Sequence, residues 1–422
     1  MKLSNQKQSS WKLALILFFV TSMVESAGMS HVFSFMPVYL QNMNVGHIET
    51  WVGVLSALTF IVGLPLIPLW GVWADRFGGK SVIIRSAYVE MAVFIVLGMS
   101  HILIGVVISM LMVGFQLGNT GIMLSSIRKL VPNGKVGFAI SLFSVSSPIG
   151  MAVGPLVGGV LTSFHVVNLH DLYFIDGLLS FITGTMLLLL YHENQDVRGI
   201  VSESTKLNTE SVWVTAWKSV HFTFSLYITW VLFGVYTVIM MARQMVNPYL
   251  PIAIEHLHIQ MSQSTLFIGV LMGLSALVGS AITVFAGKLG DRLGFTRILF
   301  ISFVASVPVT ALLGFSHKLV PFTICLTLFS AFVSIGSAMV FTLFSTLIPE
   351  SHRNTALNLI YLPLYFGGIV GPTIATGLTH FGLFALFVGA SLLFLTGTVF
   401  VAFTLLSRSW RSNTAQVSEQ NL

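Results

Sequence analysis

The sequence predicts an all-α membrane protein whose twelve transmembrane helices form two pseudo-symmetric six-helix halves. Three observations lead to this fold class: the composition, a repeated charged segment and the placement of the basic residues. Hydrophobic residues make up 55% of the 422 residues and charged residues only 8%, whereas an ordinary soluble domain is about 25% charged. A chain of this composition belongs in a lipid bilayer, and no nucleic acid is expected as a partner.

The individual helices follow from hydropathy, because a helix needs about 20 mostly apolar residues to cross a bilayer. The first stretch follows three lysines, so a signal peptide is the alternative interpretation. That stretch runs on to Pro37 and has a later counterpart, which favours a transmembrane helix. The predicted spans are residues 12–39, 50–70, 82–100, 104–127, 138–163, 172–191, 219–245, 264–286, 298–315, 321–347, 356–378 and 383–406.

A charged segment occurs twice between apolar stretches. WGVWADRFGGKS begins at Trp70, and AGKLGDRLGFTR begins at Ala286, 216 positions later. In each copy a glycine precedes an Asp-Arg pair by four positions and another glycine follows it. Self-similarity at a fixed distance indicates an internal repeat of one structural unit.

A second landmark repeats at nearly the same distance and defines the domain organisation. Gly154-Pro155 lies in the fifth span and Gly371-Pro372 in the eleventh, 217 positions apart. We therefore predict an N-terminal half over residues 1–191, a cytoplasmic linker over 192–218, a C-terminal half over 219–407 and a cytoplasmic tail over 408–422. Two parallel repeats of six helices place a central cavity at their interface.

The basic residues predict the orientation. Eighteen of the 20 lysines and arginines fall on one side of the twelve-span map, and only Arg243 and Lys318 lie toward the other. Positive residues concentrate in cytoplasmic loops. Both termini and both repeated segments are therefore expected in the cytoplasm, with the chain integral to the cell (inner) membrane.

These motifs resemble the major facilitator superfamily over nearly the whole chain. The pattern Gly71-x-x-x-Asp75-Arg76-x-Gly78-x-Lys80 is similar to the signature loop between helices two and three of that superfamily. The resemblance implies a major facilitator fold and a gating role for the segment on the cytoplasmic side. The residues that would share this role are Gly71, Asp75, Arg76, Gly78, Lys80, Gly287, Asp291 and Arg292.

A glycine-rich stretch in the fifth span resembles the motif of the twelve-span drug:proton antiporters. Gly150, Gly154 and Gly158 recur at intervals of four and leave one helix face without side chains, with Gly159 beside them. A neighbouring backbone can approach such a face closely, and Pro155 is expected to bend the helix. By family analogy the partner is span eight, while ordinary membrane packing is the alternative role.

The chain departs from the drug exporters at one point. They usually carry an arginine within helix four that is linked to proton movement, and its expected place here is near Met110. No arginine lies between Arg85 and Arg128. Any proton-coupling machinery in this chain must therefore differ from that pattern.

Two glutamates inside predicted spans are candidate proton-coupling residues. Glu25 lies near the middle of span one, where a charged carboxylate is costly and tends to face a cavity. Burial favours its protonated form, so Glu25 is a candidate proton carrier, with a structural hydrogen-bonded acid as the alternative. Glu90 lies in span three, where a coupling role and a structural role remain equally open.

Other polar residues receive simpler interpretations. Asp171 and Asp176 are expected to stabilise the start of span six near the outer surface. His31 belongs to a group of outer-side histidines without close metal-ligand spacing, so no metal site is expected. Arg243 could pair with an acid, reach the outer surface or receive an anionic substrate.

Aromatic side chains in spans that line the cavity of the family could bind flat organic molecules. For each one alone, a packing or lipid-facing role is the more frequent one, but as a group they favour an amphiphilic substrate. Two neutral polar residues of span four complete the set together with Arg243. The candidate substrate contacts are Phe33, Phe35, Gln116, Asn119, Trp230, Tyr236, Arg243, Tyr361 and Tyr365.

The resemblance and the membrane acids predict a proton-coupled exporter of lipophilic or amphiphilic compounds that works by alternating access. An exporter of an endogenous metabolite, such as a carboxylate siderophore, and a non-transporting receptor are the alternatives. No catalytic triad or Walker-type loop is present, so neither an enzyme nor direct ATP drive is expected. The expected partners are lipid, a small-molecule substrate and protons, with no cofactor and a single chain as the working unit.

Overall fold

The computed structural model describes residues 2–132, 135–193, 227–257, 264–347 and 362–406, and its regular secondary structure there is helical. A short 3₁₀ turn, Asn247–Tyr249, joins the eighth and ninth helices. The helices are α1 Lys2–Asn42, α2 Ile48–Phe77, α3 Gly79–Met99, α4 Leu103–Gln116, α5 Asn119–Leu130, α6 Val136–Ser163, α7 Leu169–Leu190, α8 Tyr227–Val246, α9 Leu250–Glu255, α10 Ser264–Leu293, α11 Phe295–Phe315, α12 Leu319–Leu347, α13 Leu362–Thr379 and α14 Leu383–Leu406.

The predicted membrane architecture is confirmed. In the described part of the chain, 11 helical segments are long and apolar enough to cross a membrane. The predicted eleventh span is described from Leu362 onward, as α13. Helices α1 to α7 form the N-terminal half, and α8 to α14 form the C-terminal half. Several helices run beyond the apolar stretches that predicted them, since α2 continues through the charged segment as far as Phe77.

The repeated segment adopts the same local structure in both halves. Gly78 separates α2 from α3 with φ 91°, and Gly294 separates α10 from α11 with φ 92°. Each glycine donates its N–H to a carbonyl four residues back, Gly78 to Ala74 at 2.9 Å and Gly294 to Gly290 at 2.8 Å. Only glycine adopts such a positive φ without strain, so the tight reversal explains why both copies carry glycine at this place.

Span four is broken, whereas its counterpart in the other half is continuous. The sequence predicted one helix over 104–127, but α4 ends at Gln116 and α5 begins at Asn119. Gly118 between them has φ 100°, and a Cβ there would lie 2.9 Å from the Trp70 ring. The counterpart α12 runs unbroken from Leu319 to Leu347. The two halves therefore differ in the middle of this helix.

The glycine face of α6 packs against a different partner from the one expected. Cβ atoms at Gly150 and Gly154 would collide with the backbone of α1, at Met23 and Ala27 respectively. Gly159, on another face, approaches α10, where its Cβ would lie 3.1 Å from the Cα of Gly269. The predicted packing of span five against span eight is therefore confirmed, but Gly159 provides it, whereas the face of Gly150 and Gly154 lies against α1.

The two halves meet through α6 with α10 and through α2 with α13. Hydrogen bonds tie the halves together at the end away from the repeated turns. Gln41 Nε2 donates to Glu255 Oε2 at 2.8 Å, and the hydroxyls of Ser163 and Thr265 lie 2.9 Å apart. Near the repeated turns, a Cβ at Gly287 would meet no heavy atom of the described residues within 4 Å. This conformation is closed at the end where Gln41 lies.

Candidate functional site

Glu25 of α1 accepts hydrogen bonds from three side chains of the neighbouring helices. Gln116 Nε2 donates to Oε1 at 2.6 Å, and Asn119 Nδ2 lies 3.0 Å from Oε1 and 2.8 Å from Oε2. Ser86 Oγ lies 3.4 Å from Oε1. The Glu25 side chain is also partly exposed. A membrane carboxylate with this many donors can exist with or without its proton.

The break in span four presents its two ends to opposite charges. The N-terminal end of α5, at Asn119, lies beside the Glu25 carboxylate, where the helix dipole favours a negative charge. The C-terminal end of α4 presents the carbonyls of Gln116 and Leu117, and each accepts a hydrogen bond from Arg85 Nη2 at 3.3 Å. Broken membrane helices commonly use their half-helix ends in this way at ion-binding and substrate-binding sites.

Arg85 supplies the positive charge of this site from α3. Its guanidinium carbon lies 3.4 Å from the centroid of the Trp70 ring, and it interacts electrostatically with both Glu25 and Tyr365. Within the described part of the chain, its Nε and Nη1 atoms have no hydrogen-bond partner. An arginine was expected in span four by family resemblance, whereas Arg85 reaches the same helix from span three.

Gln116 and Asn119 were predicted as substrate contacts, and the structure corrects this prediction. Gln116 is 1% exposed and Asn119 is 3% exposed, and both side-chain amides donate to Glu25. The carbonyl of Gln116 also accepts a hydrogen bond from Ser86 at 2.6 Å. Because their donors already serve a carboxylate, these residues hold Glu25 rather than a substrate.

Glu90 lies apart from the donors that surround Glu25. It is 2% exposed, and the Ser180 hydroxyl of α7 lies 3.0 Å from its Oε2. Its Oε1 has no hydrogen-bond partner among the described residues. The Ser180 hydroxyl also lies 3.0 Å from the carbonyl of Asp176. Glu90 therefore occupies a closed interface between α3 and α7.

A second buried polar pair connects α1, α7 and α6. His31 Nδ1 lies 2.7 Å from Asp176 Oδ2, and His31 Nε2 lies 2.7 Å from the carbonyl of Gly154. Asp176 is 4% exposed and faces His31, so its predicted role at a helix start is wrong. The predicted role of Asp171 is confirmed, since it forms a reciprocal capping box with Asn168.

Two aromatic candidates lie at the interface between the halves or close to Arg243. Tyr365 of α13 packs edge-on against Phe60 of α2, with ring centroids 5.8 Å apart. Tyr236 of α8 packs edge-on against Phe341 at 5.5 Å and interacts electrostatically with Arg243. Both tyrosines combine an aromatic face with a nearby arginine.

The remaining aromatic candidates have different surroundings. Phe35 is 0% exposed and packs against Gly158 and the His31 ring, so the structure assigns it to helix packing rather than to a substrate surface. Phe33 is half-buried, and Trp230 is 58% exposed on α8. Tyr361 lies outside the described residues.

The gating segment is held by a residue that the sequence analysis did not consider. Glu193, which follows α7, accepts hydrogen bonds from the N–H groups of Gly79 at 2.9 Å and Lys80 at 3.3 Å. Lys80 Nζ donates to the carbonyl of Leu188 at 2.8 Å. Among the described residues the acceptor at this helix start is Glu193; the side chain of Asp75, another candidate acceptor, lies outside them.

Other members of the gating set are only partly described. The side chains of Asp75 and Arg76, and the surroundings of Gly71, lie outside the described residues. In the second copy, Gly287 lies in α10, and Asp291 and Arg292 are exposed at its end. Their gating role stays a prediction.

The chain was compared with known protein families and with curated relatives. The family model of the Major Facilitator Superfamily matches residues 14–242 and 232–421. Multidrug resistance protein MdtG of Proteus mirabilis is 26% identical over 304 residues, covering 71% of this chain and 73% of that protein. MdtG of Salmonella typhi is 27% identical over 301 residues, covering 71% and 72%. The chain therefore belongs to the Major Facilitator Superfamily.

Solved structures show the same fold at low identity. The nucleoside transporter NupG superimposes with a TM-score of 0.73 at 14% identity, covering 94% of this chain and 100% of that one. A bacterial homolog of the human lysosomal transporter Spinster, in an inward-facing and occupied conformation, gives a TM-score of 0.70 at 12% identity, covering 96% of each chain. The family and the fold identify this protein as an integral membrane transporter rather than an enzyme.

Proposed function

We propose that this protein is a proton-coupled exporter of lipophilic or amphiphilic organic compounds that works by alternating access. The carrying observation is the Glu25 carboxylate, which is held by three donors beside the break in span four. The relatives named as multidrug resistance proteins support export of organic compounds. Parallel six-helix repeats that rock around a central site support alternating access.

Glu25 is the proton carrier in this proposal. When Glu25 is ionised, the amides of Gln116 and Asn119 and the N-terminal end of α5 stabilise the carboxylate. When Glu25 is protonated, its hydroxyl no longer needs all these donors, and the two ends of the broken helix are free to shift. Protonation would thus change the geometry of span four at the centre of the N-terminal half.

Arg85 takes the place of the arginine that related exporters carry in helix four. It contacts the carbonyls of Gln116 and Leu117 and interacts with Glu25, so it acts on the same helix from α3. Its contact with Trp70 extends the site to the helix that carries the gating segment. Movement of α2 during gating would therefore change the electrostatic surroundings of the proton-carrying residue.

Glu90 has a supporting role in this proposal. It interacts electrostatically with Glu25, although the two acids have different hydrogen-bond partners. A charged carboxylate with a single hydroxyl donor is costly to bury. We therefore expect Glu90 to remain neutral, which favours the ionised form of Glu25 because no second negative charge lies nearby.

The substrate surface in this proposal is aromatic. Tyr365 and Phe60 contribute from α13 and α2, and Tyr236 and Phe341 contribute from α8 and α12. Aromatic faces attract organic cations and pack against flat rings. Tyr365 also interacts electrostatically with Arg85, so an occupied substrate surface would lie next to the proton site.

The gating segment and the orientation complete the proposal. We place the repeated turns, both termini and the linker on the cytoplasmic side of the inner membrane, because the basic residues concentrate there. The Asp75-Arg76 pair and its counterpart in α10 would hold the cytoplasmic ends together when the cavity faces outward. Asp75→Asn should reduce transport without lowering the amount of protein in the membrane.

Proteoliposomes with an imposed pH gradient test the function. Wild-type protein should drive accumulation of tetraphenylphosphonium, a lipophilic organic cation, against its concentration gradient. Glu25→Gln should abolish the accumulation and preserve exchange that needs no pH gradient. Glu49→Gln, which changes an acid in the first turn of α2, is the matched control. Full gradient-driven accumulation by Glu25→Gln would remove Glu25 from the mechanism.

Export of an organic anion is the second candidate function. Arg243 lies half-buried within α8, and its electrostatic partner among the described residues is Tyr236 rather than an acid. A guanidinium in this position can receive a carboxylate through two hydrogen bonds. In the same proteoliposomes, a hydrophobic carboxylate that competes with tetraphenylphosphonium in wild type but not in Arg243→Gln would favour this function.

A further inference from the structure

The number of protons that the two contacts of His31 require reveals a site that the proposed function does not use. A backbone carbonyl can only accept a hydrogen bond, so the 2.7 Å contact with Gly154 requires a proton on His31 Nε2. The 2.7 Å contact between Nδ1 and Asp176 Oδ2 requires a second proton, on either the ring or the carboxyl group. Both contacts exist together only when His31 and Asp176 share one proton beyond that of a neutral imidazole and a carboxylate.

We propose that His31 and Asp176 together form a second proton-binding site whose occupancy controls the contact between α1 and α6. The inference deepens the proposed function, because it adds a second site for the coupling ion. The bound proton comes from and returns to water in the cavity. Its departure leaves a neutral imidazole beside a carboxylate, and no covalent bond changes.

Loss of this proton removes one of the two hydrogen bonds of His31. If the remaining ring proton stays on Nε2, the Nδ1 lone pair faces the ionised Asp176. If it moves to Nδ1, the Nε2 lone pair faces the carbonyl oxygen of Gly154. Two acceptors at 2.7 Å repel each other, so the empty site separates α1 either from α7 or from α6.

The position of the contact explains why its loss would move a helix. Gly154 belongs to the glycine face of α6, and a Cβ there would lie 2.5 Å from the carbonyl of Ala27 in α1. One helical turn further, Gly158 packs against the rings of His31 and Phe35. Helices that pack this closely have two discrete arrangements rather than a continuous range. The proton on the pair therefore selects how α1 sits on the antiporter-like motif of α6.

The net charge of the site also depends on the proton. With the proton bound, the pair is neutral overall, whether as imidazolium and carboxylate or as imidazole and carboxylic acid. Without it, the pair carries one negative charge although His31 is 5% exposed and Asp176 is 4% exposed. An uncompensated charge inside a membrane protein is costly. The unloaded pair therefore favours a conformation in which water reaches it.

The titratable groups around the pair come from two neighbouring helices. Glu90 of α3 and Tyr173 of α7 both interact electrostatically with Asp176. The sequence of α6 contains no titratable residue. The titratable residues of α5 lie in its last turn, and those of α10 lie between Lys288 and Arg292, near its C-terminal end. In α2 the titratable residues lie in the first turn, at Glu49, and in the charged segment at the C-terminal end. On α1 itself, Glu25 lies six positions before His31 and has its own donors.

Nitrogen-15 NMR of the full-length protein labelled at histidine tests the site without any substrate. The His31 signal is assigned by its absence from His31→Gln; if that variant does not fold, the signal that Asp176→Asn alters gives the assignment. Between about pH 5 and about pH 9, the ring-nitrogen signals of His31 in wild type should change as the pair empties, because Nδ1 loses either its own proton or the hydrogen bond from the Asp176 carboxyl group. Signals of His31 that stay constant over this range would overturn the proposal.

Asp176→Asn provides the sharpest variant, because its amide can donate to Nδ1 and imitate the loaded pair permanently. His31 should then stay protonated on Nε2 over the whole range. A wild-type titration of His31 in Asp176→Asn would overturn the proposal. His170→Gln is the matched control, since His170 bonds to the Gly98 carbonyl at 3.0 Å and should leave the His31 titration unchanged. Glu25→Gln should also leave the titration in place.

A second measurement connects the site to transport. Wild-type protein should release protons when tetraphenylphosphonium binds, and Asp176→Asn should release about one proton fewer. If wild-type protein neither binds nor moves this cation, the proposed function fails, while the titration of His31 still decides the proton site. If Asp176→Asn releases as many protons as wild type, the pair does not take part in coupling and the proposal is overturned.

Discussion

The guanidinium carbon of Arg85 lies 3.4 Å from the centroid of the Trp70 ring. Trp70 is the first residue of the repeated charged segment, and the same ring lies against Gly118 in the break of span four. One aromatic side chain therefore joins α2, the arginine and the broken helix. The contact connects the repeated charged segment with the arginine that interacts electrostatically with Glu25.

Arg85→Lys should lower gradient-driven transport although it keeps the charge. A lysine ammonium cannot stack as a plane on Trp70 while it donates to two carbonyls. A cation–π contact in a dry site contributes about 2 kcal/mol, or roughly thirtyfold in an equilibrium. Transport rates in proteoliposomes measure the effect, with Arg297→Lys, an exposed arginine of α11, as control. Equal rates for wild type and Arg85→Lys would show that only the charge matters.

Gly118→Ala should cost both stability and transport. The residue has φ 100°, which L-amino acids adopt at a cost of about 1 to 3 kcal/mol, and the new Cβ would lie 2.9 Å from Trp70. Gly294→Ala is the matched control, because Gly294 has φ 92° but a Cβ there meets no heavy atom within 4 Å in the described part of the chain. The melting temperature should fall in both variants, and the transport rate should fall more in Gly118→Ala than in Gly294→Ala. A larger transport defect in Gly294→Ala would contradict this account.

Gly154→Leu should prevent the close packing of α1 on α6. Even a Cβ at this position approaches Ala27 and Ser30 of α1 too closely, and the Ser30 hydroxyl is already bonded to the Ala27 carbonyl at 2.6 Å. Gly377→Leu in α13 is the control, since no atom of the residues that the structure describes lies within 4 Å of a Cβ there. Surface expression and transport per molecule separate a folding defect from an exchange defect. Normal values for both in Gly154→Leu would refute the packing argument.

Glu193→Gln should loosen the start of α3 next to the gating turn. The Glu193 carboxylate accepts from two backbone N–H groups, at Gly79 and Lys80, and charge-assisted bonds at a helix start contribute about 1 kcal/mol. The melting temperature in detergent should fall, and hydrogen exchange at the first turn of α3 should become faster. Glu49→Gln is the control and should change neither the melting temperature nor the hydrogen exchange at the first turn of α3. Unchanged exchange in Glu193→Gln would show that the contact contributes nothing to the turn.

Part of the candidate site could be predicted from the sequence, and part could not. Glu25 was predicted as a mid-membrane acid because a charged residue inside an apolar stretch can be recognised directly in the sequence. The partners of Glu25 were not predicted as such, because Gln116 and Asn119 are far from it along the chain and look like neutral cavity residues. Arg85 was missed because its distance from span four depends on how far its side chain reaches across from α3.

The contact between His31 and Asp176 could not be predicted from the sequence either. The sequence placed both residues near the outer surface and gave each a separate, ordinary role. Their positions are 145 residues apart, and no local pattern connects them. A signal was nevertheless present, because a histidine in span one and an aspartate in span six lie within stretches that otherwise favour lipid. Polar residues in such stretches normally have a partner inside the protein.

The apolar spans, their repeat in two halves and the glycine after each Asp-Arg pair could be recognised in the sequence alone. These features depend on local physics, namely the length of apolar stretches, the spacing of a repeat and the conformational freedom of glycine. Which charges meet depends on the tertiary structure. Gly118 breaks a helix that hydropathy reads as continuous, and the glycine face of α6 turns toward α1 instead of α10. Such choices depend on packing between helices, which the local sequence does not encode.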